Sequence, residues 1–235
     1  MKKNRISLVC FFMYICKKNN SMDYLQGAKK GLIDILKKKG IHDSCVLNAF
    51  DKVDRHLFVE SFLWPHVYED IALQIHCDQT ISQPYTVAFQ SELLQVQKGD
   101  KILEIGTGSG FQAAILSAMG AKVYSVERQF DLYKKTKKLL ETIDYKIITV
   151  FGDGFEGLPK YAPYDKMIVT CGAPNVPTTL LNQLKIGGVI VIPVGDESQI
   201  MKRITKVDEN TYQEEQFGDF VFVPMLQNKT GSESF

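Results

Sequence analysis

Residues 101–111 read K-I-L-E-I-G-T-G-S-G-F: a short apolar run that passes directly into three glycines at alternate positions, Gly106, Gly108 and Gly110. An apolar run of this length closed by glycine predicts a buried strand. Glycine takes left-handed backbone angles without penalty and allows close approach where a Cβ would collide. A helical pattern follows over Phe111–Met119, so its first N–H groups face whatever the turn holds. Strand, glycine turn and helix in this order predict half of a parallel α/β unit.

The pattern repeats on the carboxyl side. Apolar runs at Ile102–Ile105, Val123–Val126, Ile147–Phe151, Met167–Thr170 and Val189–Val194 alternate with helical segments. One helix is expected over Phe130–Ile143, with Leu132, Leu139, Leu140 and Ile143 on one face. A shorter one starts near Pro177, turns Leu180, Leu181 and Leu184 inward and ends at Gly187-Gly188. Met201–Val207 and Phe217–Pro224, split by Asp208-Glu209-Asn210, predict an antiparallel pair. The expected fold is α/β: a doubly wound, mostly parallel seven-stranded sheet covered on both faces, with a carboxyl-terminal antiparallel strand pair.

Upstream the pattern is helical. Asp23–Lys39 places Leu25, Ala28, Leu32, Ile35 and Leu36 at three- and four-residue steps before Gly40. Asp43 or Ser44 caps a second helix carrying Val46, Leu47 and Phe50. His56, beside Leu57 and Phe58, is expected to be structural. Residues 79–85, Q-T-I-S-Q-P-Y, are too short and broken for a helix, and Pro84 excludes a central strand, so a loop is expected. The chain then divides into a leader or mis-assigned start (1–21), an N-terminal helical region (22–78), an α/β domain with its loop (79–226) and a tail (227–235).

Composition removes several function classes. The 235 residues carry a net charge of +1, which gives no electrostatic reason to bind nucleic acid. Five cysteines without C-x-x-C spacing fit a reducing cytoplasm, and four scattered histidines give no metal-ligand pattern. Met1–Arg5 is basic and Ile6–Cys16 apolar, but no A-x-A site follows and the run is too short to span a bilayer. A start at Met22 explains it equally well; stable membrane association is not expected.

The glycines themselves are informative. A dinucleotide fingerprint needs its third glycine one place later, where Phe111 stands. Glu127 ends the second strand 21 positions after Gly106, the distance of an acid that accepts ribose hydroxyls; the plain alternative is a strand-end carboxylate paired with Arg128. Asp153, in F-G-D-G-F at the end of the third strand, can accept from an adenine amino group, with Gly154 allowing close stacking; otherwise it is a turn aspartate. G-x-G-x-G without the later glycine resembles adenosylmethionine-dependent methyltransferases.

Q-T-I-S-Q-P-Y, L-E-I-G-T-G-S-G-F-Q, V-Y-S-V-E-R, G-D-G, A-P-Y-D and G-G-V-I-V-I-P-V-G together strongly resemble the bacterial type of protein-L-isoaspartate (D-aspartate) O-methyltransferase. The likeness extends over about residues 23–226, with Arg55-His56-Leu57-Phe58 and Phe222-Val223-Pro224 as flanking signatures. It implies S-adenosyl-L-methionine as cofactor, isoaspartyl proteins and peptides as substrates, and a cytoplasmic monomer. By the same resemblance Ser82 is catalytic, and Ile81, Gln83 and Pro84 belong to the substrate loop. Thr80, Glu104, Gly106, Gly108, Gly110, Glu127, Asp153 and Gly154 correspond to cofactor contacts. The chain departs from the pattern at His76 and Asp78, where glycines are usual, and at Ala72–Ile75, where P-L-P-I is usual. Other readings are an adenosylmethionine-binding homologue with impaired or re-targeted catalysis, and a methyltransferase acting on small molecules or nucleic acid. Against the latter, [DN]-P-P-[YF] is absent and Cys171 follows Thr170 rather than proline.

Overall fold

The computed structural model describes residues 23–231, so the basic and apolar amino-terminal stretch lies outside the described residues. In chain order, a hairpin of β1 (Leu73–Gln74) and β2 (Thr80–Ile81) precedes β3 (Lys101–Ile105), β4 (Lys122–Glu127), β5 (Ile148–Phe151), β6 (Tyr164–Val169), β7 (Leu184–Val194), β8 (Gln199–Lys206) and β9 (Tyr212–Phe220). The last seven form one sheet in the order β5-β4-β3-β6-β7-β8-β9. The first five are parallel, and β8 and β9 add antiparallel at one edge. This is the doubly wound sheet expected from the alternating pattern.

Period-two geometry sorts each strand onto two cores. Ile102, Val123, Ile168, Val189 and Val191 pack with the N-terminal region, whereas Leu103, Ile105, Val126, Met167, Ile190 and Ile192 pack on the opposite face. The helices are α1 (residues 23–38), α2 (Ser44–Lys52), α3 (Pro84–Leu94), α4 (Phe111–Ala118), α5 (Phe130–Thr142) and α6 (Thr178–Leu181). Leu25, Leu32 and Leu36 of α1 share one core with Phe111 and Ala114 of α4, so the N-terminal region completes the α/β core. The expected boundary at residue 78 falls inside the β1–β2 hairpin.

Four expectations need correction. Residues 84–94 are a helix, with Pro84 as its first residue, where a missing N–H removes no bond. Pro84, Thr86, Val87, Ala88, Gln90, Ser91 and Leu94 are all buried, so α3 shows no polar face and no stripe. The helix before the fifth parallel strand is only Thr178–Leu181; Leu184 already pairs with Tyr164, and Lys185–Gly188 form a bulge before Val189 meets Lys166. The last strand is Tyr212–Phe220 rather than Phe217–Pro224, because an edge strand tolerates the polar run Gln213–Gln216. Ile35 of α1 is exposed, and the buried stripe runs instead through Lys29, whose ammonium pairs with Asp54 at 2.9 Å.

Candidate active site

At the carboxyl ends of the parallel strands, the order reverses between β3 and β6, the place where open α/β sheets bind ligands. Here the glycine turn, the ends of β4 and β6, the β1–β2 hairpin and residues 223–226 enclose a cavity. Gly106 has φ +95°, and a Cβ on it would stand 2.5 Å from Thr170 Oγ1. That hydroxyl donates to Gly106 O at 2.7 Å, which fixes the turn to β6. Gly108 also has positive φ (+53°), but a Cβ there would have nothing nearer than Gly106 O at 4.0 Å. It leaves room for a ligand against bare backbone.

Glu127 closes β4 and is only 5% exposed. Its Oε2 accepts from Gly108 N at 3.0 Å and its Oε1 from Gln129 N at 2.9 Å. A carboxylate has about four acceptor positions; two are spent on holding it still and two remain. A fixed acceptor beside a cradle of bare backbone fits a nucleoside diol, so the residues present fit adenosylmethionine.

Thr80, Ile81, Ser82, Gly106, Gly108, Glu127 and Gly154 all line this cavity. Three other expected cofactor contacts lie off its wall. Gly110 has φ +86°, and a Cβ there would sit 2.9 Å from Thr136 Cγ2 and 3.2 Å from Leu140 Cδ2, so its glycine serves the packing of α4 on α5. Asp153 caps the turn Gly154–Glu156 through Phe155 N at 2.9 Å and accepts from Asn228 N at 2.6 Å. Gly154 is needed for packing too, since its Cβ would lie 2.5 Å from Ile105 Cγ2.

Glu104 is the third, wholly buried beneath the turn. Its Oε2 accepts from Ser125 Oγ, which also bonds Thr107 Oγ1 at 2.6 Å; Oε1 has no partner among the described residues. Burial pushes its carboxyl up to about 8, the Ser125 bond opposes this and nearby Glu127 adds to it. A raised carboxyl holds a proton that the unfolded chain releases. Its contribution to stability is therefore complete below about pH 4.5 and is lost as pH rises towards about 8. In Glu104→Gln, urea unfolding should show stability gained over wild type from pH 5 to pH 8, by up to about 1.4 kcal/mol per pH unit, with no further gain above. A constant difference across that window rules out the buried titration.

The hairpin keeps its turn without the usual glycines. Cys77 and Asp78 have φ of 61° and 54°, the doubly left-handed geometry of a tight hairpin. Ile75 N donates to Gln79 O at 2.8 Å, Gln129 Nε2 donates to Cys77 O at 3.2 Å, and His76 Nε2 pairs with Glu60 Oε1 at 3.0 Å. His56 is buried, with Nδ1 3.0 Å from Tyr68 Oη, and burial lowers its pKa.

Outside the cavity runs a groove of about 840 Å³, bordered by Tyr85, Phe89, Phe217, Phe220 and Phe222, with Lys39 also in its wall. Thr80, Ser82, Thr170 and Val223 line cavity and groove alike. Gln83 lines the groove only; Pro84 lines neither. The walls contributed by Thr170, Cys171 and Val223–Leu226 were not among the expected contacts. Thr170 and Cys171 follow β6, and the rule that ligands sit beyond strand ends points to them. Residues 225–230 have no such signal: Met225 N bonds Gly172 O at 2.7 Å and Thr230 N bonds Arg128 O at 2.8 Å, so the described start of the expected tail, residues 227–230, is strapped to the site.

Sheet order, glycine turn and fixed strand-end acid together define the adenosylmethionine-dependent methyltransferase class. Comparison with known proteins narrows this. The family model described as protein-L-isoaspartate(D-aspartate) O-methyltransferase matches residues 27–230. Protein-L-isoaspartate O-methyltransferases from Christiangramia forsetii and Flavobacterium psychrophilum are each 54% identical over 205 residues, covering 87% of this chain and 96% of theirs. A solved protein-L-isoaspartate O-methyltransferase superposes with a TM-score of 0.78 at 32% identity, over 85% of this chain and 66% of that one. A Plasmodium falciparum structure shares the fold at TM-score 0.75 and 23% identity, over 85% of this chain and 98% of that one. The chain belongs to the protein-L-isoaspartate(D-aspartate) O-methyltransferase family.

Proposed function

We propose that this chain methylates the free α-carboxylate of L-isoaspartyl and D-aspartyl residues in damaged proteins, with cofactor in the inner cavity, peptide in the outer groove and Ser82 where the two meet. One observation carries the assignment of Ser82: it is half-buried and lines both spaces. The bound cofactor supplies an activated methyl group on a cationic sulfonium. An α-carboxylate with a pKa near 4 is about 99.9% ionised at pH 7, so the nucleophile arrives charged and no side chain has to remove a proton.

What remains for the protein is alignment and the exclusion of water. The Ser82 hydroxyl donates to one carboxylate oxygen and leaves the other free, which keeps a partly desolvated anion from losing every partner. Ile81, 2% exposed, anchors the strand behind it in the core. Glu127 and Gly108 hold the cofactor's sugar end, with Thr80 and Gly106 on the same wall. Groove aromatics offer apolar surface to the peptide on either side of the damaged residue.

Balanced charge gives a polyanion no purchase, and Cys45, Cys77 and Cys171 form no disulfide among the described residues; both support a cytoplasmic enzyme without a nucleic-acid partner. The same reading takes the protein to be a monomer. Among the described residues no helix is long and apolar enough to cross a membrane.

Labelled adenosylmethionine tests the reading with matched aspartyl and isoaspartyl peptides. Base-labile methyl ester should form on the isoaspartyl peptide alone. In Ser82→Ala turnover should fall at least about tenfold, about 1.4 kcal/mol, with cofactor affinity unchanged. Turnover close to wild type removes Ser82 from the reaction.

A further inference from the structure

β2 ends at Ile81 and α3 begins at Pro84, so Ser82 and Gln83 form a two-residue hinge between them. Gln83, at the N-cap of α3, makes no capping bond with its own side chain. The orphan amides of the first turn must therefore find acceptors elsewhere.

One of them finds Asp70, whose side chain is only 8% exposed. Its Oδ1 accepts from Tyr85 N at 2.8 Å, the second residue of α3. Gln83 Nε2 donates to Asp70 O at 2.9 Å and to Asp70 Oδ2 at 3.2 Å. Lys39 Nζ, just beyond α1, reaches the same Oδ2 at 2.6 Å. One carboxylate thus holds the residue after Ser82 and the helix that follows, and its charge suits a helix amino terminus. Thirteen to fifteen residues of sequence separate Asp70 from these partners, so the contact is not a local turn.

We propose that Asp70 is a positioning residue for methyl transfer: by clamping Gln83 and Tyr85 it sets where the Ser82 hydroxyl stands between cavity and groove. This rests on the reading of Ser82 given above. The N-terminal region then has a catalytic purpose besides completing the core, because Asp70 and its counter-ion Lys39 both belong to it. Asp70 lines neither the cavity nor the groove and acts only through the hinge.

A double-mutant cycle tests it. Asp70→Asn keeps the side-chain shape and an acceptor for Tyr85 N, but turns a donor or a neutral oxygen towards Lys39 and Gln83. Wild type, Ser82→Ala, Asp70→Asn and the double variant are compared for kcat and KM on an isoaspartyl peptide and for affinity towards adenosylhomocysteine. Asp70→Asn should lower kcat between about tenfold and a hundredfold, the scale of a small misplacement, with cofactor affinity retained. In the Ser82→Ala background the same change should cost less than about twofold in kcat, because the group it positions is gone.

Equal losses in both backgrounds, or none in the first, overturn the role of Asp70 while leaving Ser82 in place. A fully active Ser82→Ala overturns both. Asp70→Glu separates positioning from charge balance: it retains the pair with Lys39 but moves the carboxylate by a methylene, and its kcat should stay low. Recovery to wild-type kcat overturns the proposal. If Asp70→Asn fails to fold, Gln83→Met removes the hinge bonds from the other side and should lower kcat in the same way, again only when Ser82 is present; an unchanged kcat overturns it.

Discussion

Gly106→Ala should unfold at a lower urea concentration than wild type and lose most of its cofactor affinity. At φ +95° an L-residue is strained by about 1–2 kcal/mol. The added methyl would also stand 2.5 Å from Thr170 Oγ1, too close to remain. Thr170 cannot turn aside freely, since that hydroxyl donates to Gly106 O at 2.7 Å and Ile105 O at 3.0 Å. With roughly 0.5–1.5 kcal/mol for each of the two displaced bonds, the total is about 2–5 kcal/mol. Gly108→Ala provides the contrast. Its φ is also positive, but the space before it is open, so the methyl enters the cavity and the core is untouched. Affinity should drop there with stability lowered only by the backbone term. Equal stability for Gly106→Ala and wild type would show that the turn relaxes away from β6.

The contrast bears on how much of this molecule its sequence discloses. Parallel strands were legible because both faces are buried and their apolar runs are continuous, as in Val189–Ile192, or nearly so, as in Ile102–Ile105, which only Glu104 interrupts. α3 was not, because a helix buried on nearly all sides carries polar Thr86, Gln90 and Ser91 inward and shows no stripe. Gln90 Nε2 donates to Val169 O at 3.0 Å and Ser91 Oγ to Val87 O at 2.8 Å, partners that exist only after folding. β9 was misplaced for the opposite reason: its glutamates and glutamines face solvent, and Lys202 and Arg203 of β8 pair with Glu214 and Glu215.

At the site, motif membership merges two structural roles within one turn. Gly106 and Gly108 face the cavity, whereas Gly110 faces α5. Glu104 belongs to the same motif and lies beneath it. Spacing along a strand can distinguish the acid at the end of β4 from its neighbours, but it cannot show which residues of a glycine turn look outward. The clamp at Asp70 and the strap at residues 225–230 arise from contacts far apart in sequence, and a linear reading has no pattern for either.

Glu127→Ala should weaken adenosylhomocysteine binding by about a hundredfold or more, measured by calorimetry, with turnover at saturating cofactor reduced much less. Each hydrogen bond to a charged group is worth about 1.5–3 kcal/mol, and a tenfold change in affinity corresponds to about 1.4 kcal/mol. Two acceptor positions on Glu127 remain for the sugar, so losing even one good bond accounts for more than tenfold. The second part of the effect lies in the protein. Without the carboxylate, Gly108 N and Gln129 N lose acceptors now at 3.0 and 2.9 Å, and the turn that should receive the ligand is no longer held in its bound shape. Glu127→Gln divides the two contributions: its one carbonyl oxygen can still receive Gly108 N, so the glycine turn keeps its brace, while Gln129 N loses its acceptor and one sugar acceptor and the charge are lost, and its affinity should fall between wild type and Glu127→Ala. Had the carboxylate been a surface partner of Arg128, either change would be nearly neutral. Arg128 instead donates from Nε to Asn228 O at 2.9 Å and from Nη2 to Thr230 Oγ1, which leaves Glu127 turned inward to its two amides. Unchanged affinity in Glu127→Ala would return the residue to the role of a strand-end brace.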